Sequence, residues 1–115
     1  MKDQNNRKKS ELYFHTLPEN MNCAQSVLKG FQKQFDITDR EIEDYRAWGG
    51  GRVQGGVCGA LYSAQRLLRQ AEKPDITEEF NSRAGEIYCL EIKALNFPCI
   101  ECVRLADELV EKRLK

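Results

Sequence analysis

The chain has no net charge, a single histidine and no long apolar run. Lys+Arg 18 balance Asp+Glu 18, so no electrostatic footprint points to nucleic acid or to an anionic membrane as a partner. No segment approaches the ~20 apolar residues that a membrane-spanning helix needs. The basic residues after Met1 are not followed by the apolar stretch of a secretory signal, so the expected location is the cytoplasm. His15 is the one histidine; it reads first as a partly exposed helix residue and second as a metal or haem ligand. No general acid/base pair, Ser/His/Asp set or phosphate motif stands out, which speaks against a hydrolase or a kinase.

What the chain does have is a normal globular balance, 41% hydrophobic and 31% charged, with five cysteines in 115 residues. This length fits a single domain, 1–115, with residues 1–9 as a flexible, basic N-terminal extension. Five cysteines are more than ordinary usage. In a reducing compartment they point to metal binding or thiol redox chemistry rather than to a disulfide framework.

The apolar spacing is helical almost throughout. Ser10 to Leu17 predicts a short helix capped by Ser10 and ended before Pro18. Asn20 or Asn22 caps a helix over about 21–35, whose buried face is Ala24, Val27, Leu28, Phe31 and Phe35. Thr38 or Asp39 with Glu41 opens the next, ended by the glycines at 49–51. Val57, Ala60, Leu61, Ala64 and Leu68 make a clear stripe that Pro74 stops, and Gly85 closes a helix from Asp75 or Thr77. Ile87-Tyr88-Cys89-Leu90 alone could be a strand, but a lone strand has no evident partner, so 86–95 is read as helix. Pro98 opens the last helix, 99–114. The expected fold class is therefore all-α: a bundle of about five to six short helices with a glycine-rich loop before the central one.

Six of the eight glycines lie between residues 49 and 59. A phosphate cradle is the first idea there, since loop and helix-start N–H groups bind anions. No preceding strand and no G-x-x-x-x-G-K-[ST] supports it, and Arg52 reads as a solvated loop residue. The better use of Gly55, Gly56 and Gly59 is steric: they permit positive φ and let backbone or a cofactor approach Cys58. Cys23, Cys58 and Cys99 fall in predicted first turns, where free N–H groups and the helix dipole favour thiolate over thiol. Cys99-Ile100-Glu101-Cys102 has the C-x-x-C form on one helix face, close enough for a disulfide or a shared metal. Its weight is moderate, because thioredoxin-like chemistry needs a βαβ context and c-type haem needs a histidine where Val103 stands. Small buried core residues are the plain alternative for these cysteines.

Asn22-Cys23-Ala24-Gln25, then Gly56-Val57-Cys58-Gly59-Ala60 after Gly49-Gly50-Gly51, then Tyr88-Cys89, then Cys99 ahead of Val103-Arg104-Leu105-Ala106 resemble the C_GCAxxG_C_C family of redox-active proteins. The likeness runs from about Asn22 to Leu114. It implies that Cys23, Cys58, Cys89 and Cys99 are redox-active thiols or ligands of an iron–sulfur cluster or other soft metal, served by a redox partner. Two departures stand out. Ser63 replaces the last glycine of the central box, which predicts a looser helix contact, and Cys102 is additional to the family's four cysteines. The competing reading is a non-catalytic helical interaction protein, such as a homodimer, whose cysteines only fill space.

Overall fold

The structure is a computed structural model that describes residues 7–49 and 51–115. Among these residues the chain forms seven α-helices and no named strand: α1 Cys23–Gly30, α2 Gln32–Phe35, α3 Asp39–Asp44, α4 Gly59–Ala71, α5 Thr77–Ala84, α6 Cys89–Ala94 and α7 Cys99–Leu114. Short 3₁₀ turns at Ser10–Leu12, Tyr45–Trp48 and Gln54–Gly56 complete it. The all-α architecture expected from the spacing is the one adopted. No helix among the described residues is long and apolar enough to cross a membrane.

Local signals set the helix ends. Asn22 accepts from the Gln25 amide while the Gln25 side chain accepts from the Asn22 amide, a reciprocal cap at the start of α1. Thr38 and Glu41 repeat the arrangement at α3. Gly85, at φ 91, ends α5 in the left-handed conformation that glycine adopts without strain.

The centre is a trio in which α1, α4 and α7 pack on one another. Ala24, Val27 and Leu28 of α1 meet Ala60, Leu61, Ala64 and Leu67 of α4 and Val103, Ala106, Leu109 and Val110 of α7, all fully buried. Each fully buried large apolar side chain is worth about 1.5–3 kcal/mol relative to exposure, so this trio holds the fold. Ser63 does not loosen it. Its buried hydroxyl donates to the Ala24 carbonyl at 2.7 Å, tying α4 to α1.

Three expectations are corrected. Ser10 to Leu17 is not a helix: only Ser10–Leu12 winds, as a 3₁₀ turn capped by Lys9 rather than Ser10. Leu12 and Leu17 are 53% and 78% exposed, and only the adjacent Tyr13 and Phe14 pack against the core, so the segment lacks the helical-period apolar stripe that would hold a longer helix. The helix over 21–35 breaks after Gly30 and resumes at Gln32; a glycine there weakens the helix, and a Cβ on it would stand 2.1 Å from the Ser10 hydroxyl. In the N-terminal extension, residues 1–6 lie outside the described residues, but Arg7 is anchored by Asp107 at 2.6 Å. Finally, 86–95 is helix only from Cys89. Tyr88 pairs with Val57 in a single antiparallel bridge, so the extended stretch does have a partner.

Candidate functional site

Four of the five cysteines stand at helix starts. Cys23, Cys89 and Cys99 are the first residues of α1, α6 and α7, and Cys58 is the residue that caps α4. Cys102 follows Cys99 by one turn. The sequence expectation of first-turn placement for Cys23, Cys58 and Cys99 agrees with this, and Cys89 joins them because its helix begins three residues later than the spacing suggested.

Backbone geometry brings these starts together. The Val57–Tyr88 bridge is continued by the Cys58 amide, which donates to the Ile87 carbonyl at 2.8 Å. Two residues that each precede a cysteine are thereby clamped side by side. On the other flank, Gly59 lets α4 approach α1. A Cβ at Gly59 would lie 2.8 Å from Cys23 Sγ and 2.8 Å from the Trp48 carbonyl oxygen, inside any real contact. Gly51, at φ 82, passes beside Cys89, with a would-be Cβ 3.4 Å from that residue's Cβ.

The result is one small cavity of about 10 Å³ lined by Cys23, Cys58, Cys89, Cys99 and Cys102 together with Ile92, Lys93 and Phe97. It has room for about one water molecule. Cys23, Cys58, Cys89 and Cys102 are buried, and Cys99 is half-buried. No disulfide joins Cys58, Cys89, Cys99 or Cys102, and Cys102 is close enough to act on the Cys58 proton.

The electrostatics run against the expected thiolates. The hydrogen bond to Cys102 holds the proton on Cys58, and burial and the neighbouring sulfur push the same way, so its pKa stands well above the ordinary value. The Leu61 and Ala60 amides oppose this without closing a capping hydrogen bond. Burial likewise raises Cys89 and Cys99, with the Lys93 charge pulling both down part of the way. Magnitudes explain the outcome: a helix terminus offers about 0.3–1 kcal/mol to an exposed charge. Full burial shifts a group by up to several units at about 1.4 kcal/mol each. At rest these are thiols.

Gly55 and Gly56, at φ 83 and 81, have open space where a Cβ would stand. They serve the turn before Cys58 rather than the cavity wall, whereas Gly59 serves the close packing itself. Gly50 of the expected glycine run lies outside the described residues. Arg52 is exposed and donates from Nε to the Gly49 carbonyl at 3.0 Å. His15 is not in a helix; it is exposed at φ 53 and stacks on Phe14.

Five thiols are suitable donors for a soft metal. Among the described residues, however, no three or more His, Cys, Asp or Glu side chains already stand in an arrangement that holds a metal ion. The sequence reading missed Lys93, Ile92 and Phe97. Their signal was positional: they lie between Cys89 and Cys99, in a short segment whose two ends both reach the cavity. In comparisons with known protein families, curated proteins and solved structures, nothing matches this chain.

Proposed function

We propose that this is a redox-active thiol protein in which Cys58 and Cys102 form a dithiol/disulfide couple. The observation that carries the reading is that both line one cavity whose walls hold all five cysteines, with Cys102 the sulfur that acts most strongly on the Cys58 proton. On oxidation the two thiols give up two protons and two electrons and join as one S–S bond. A disulfide from solution accepts them and leaves as two thiols; the reverse reaction regenerates the dithiol. The resemblance to the C_GCAxxG_C_C family supports the role of Cys23, Cys58, Cys89 and Cys99. Cys102, outside that set, supplies the partner for Cys58.

The test is equilibration with glutathione redox buffers, followed by alkylation and peptide mapping. The expected result is a single two-electron transition in which Cys58 and Cys102 lose their free thiols together. If no pair of thiols responds across the whole range, the five cysteines are core residues and the helical interaction protein is the better account.

A second reading draws on the same five sulfurs. A soft metal or iron–sulfur centre would take Cys23, Cys58, Cys89 and Cys99 as ligands, since a bound metal displaces the thiol protons that burial otherwise retains. Metal analysis and absorbance after anaerobic purification separate it from the couple: stoichiometric iron or zinc favours the centre, and a colourless, metal-free protein with an active dithiol favours the relay.

A further inference from the structure

Cys58 and Cys102 are both buried, so a disulfide from solution needs another sulfur to meet first. Cys99 is the half-buried cysteine of the cluster. It opens the 16-residue helix α7 and lies one turn before Cys102, on the same face.

We propose that Cys99 is the thiol through which the couple exchanges with a disulfide from solution. This rests on the dithiol reading above. The other sulfurs lining the cavity, Cys23, Cys58, Cys89 and Cys102, are buried, so Cys99 is the one of the five that a disulfide from solution meets first.

The exchange balances in three steps. Cys99 thiolate attacks one sulfur of R–S–S–R′, the S–S bond breaks, and R′–S⁻ leaves and takes up the proton that Cys99 gave up. Cys102 then attacks Cys99 Sγ, releasing R–SH with the Cys102 proton and leaving Cys99 joined to Cys102. Cys58 attacks Cys102 in turn, its proton passing to the departing Cys99, so that the Cys58–Cys102 disulfide remains and Cys99 is again a thiol. One external disulfide has become two thiols, and two protein thiols have become one disulfide.

Two measurements test this. In the Cys58→Ser/Cys102→Ser double variant, oxidised glutathione should trap a mixed disulfide on Cys99, located by peptide mass mapping. In an otherwise unaltered chain, Cys99→Ser should slow oxidation of the Cys58–Cys102 pair by oxidised glutathione roughly tenfold or more, while the equilibrium position of the couple in glutathione buffers stays the same. A mixed disulfide on Cys23 or Cys89 instead, or an unchanged oxidation rate in Cys99→Ser, overturns the assignment. If the glutathione titration of the unaltered protein still shows its two-electron transition, the Cys58–Cys102 couple survives that failure. If the transition is absent, the couple and this route fall together.

Discussion

Helix α7 takes polar groups out of water twice, with opposite outcomes. In its first turn Cys99 and Cys102 enter a cavity whose other walls are sulfur, Ile92 and Phe97, with Lys93 at the side. Two to three turns on, Asp107 and Glu111 meet Arg7. Asp107 receives Arg7 at 2.6 and 2.8 Å and the Ser10 amide at 2.8 Å, while Glu111 receives Arg7 at 2.8 Å and Lys9 at 2.7 Å. Arg7 and Asp107 side chains are only 7% and 3% exposed. Both ends are also close-packed around a glycine, Gly30 against Ser10 and Gly59 against Cys23. The difference lies in the partners. A buried carboxylate with two Arg7 bonds and an amide is satisfied and fixed, whereas thiols are weak donors and acceptors that satisfy one another poorly. The first arrangement fastens the chain; the second leaves chemistry available.

The largest effect that would sharpen this contrast is at the fastened end. Asp107→Ala takes two bonds from a nearly buried guanidinium, which keeps Glu111, and strands the Ser10 amide, and should cost about 2–4 kcal/mol in chemical denaturation. A loss below about 1 kcal/mol would mean that the ion pair holds little, because exposed pairs are worth no more than that. Next comes Gly59→Ala, whose added methyl meets Cys23 Sγ and the Trp48 carbonyl; overpacking of this kind costs about 1–3 kcal/mol. It should also change the alkylation rate of Cys23, a response that Asp107→Ala should not give while the protein stays folded.

The smallest effect is in the pH dependence, where the two ends fail on opposite sides. At Asp107 burial pushes the pKa up, but the bonds from Arg7 and Ser10 and the Arg7 charge outweigh it, and the net shift is down. At Glu111 the Lys9 hydrogen bond leads the lowering. Glu41, held by Thr38 and Arg66, falls from 4.5 to about 2. Carboxylates lowered in the fold contribute stability above their ordinary values and lose it as pH falls. The raised thiols work the other way: their contribution is complete below the ordinary 9.0 and is lost as pH rises toward their folded values. Denaturation midpoints measured from pH 2 to 11 should therefore decline at both extremes. Cys58→Ala should flatten the alkaline decline and leave the acid one unchanged; an unaltered alkaline limb would show that burial does not govern the Cys58 proton.

Much of the fold was legible from periodicity. The inner face of α7 and its limits at Cys99 and Leu114 follow the spacing; the caps are narrowed to Asn20 or Asn22 and to Thr38 or Asp39, of which the fold uses Asn22 and Thr38. The extended stretch before Cys89 was not legible, because its partner, Val57, is distant in sequence and contributes a single residue. Asp107 was missed for a related reason: a charged residue reads as solvent-facing until the Arg7 that covers it is seen. The cysteines as a group were legible through residue type and helix-start position. Their protonation was not, since the dipole is a local property and burial depends on the whole assembly.

The Val57–Tyr88 clamp has a consequence for the order in which this molecule is made. It joins residues far apart along the chain, and the sulfur cavity adds Cys23 and Cys102 from nearer the two ends. Contacts of such wide sequence separation form late, after loop-closure entropy has been overcome. Until then the thiols lie open to water, more exposed to oxidation than in the finished fold, where Cys23, Cys58, Cys89 and Cys102 are buried. The cavity thus acts as a seal that closes with the last long-range contacts, and slow alkylation of Cys58 marks the chains in which folding is complete.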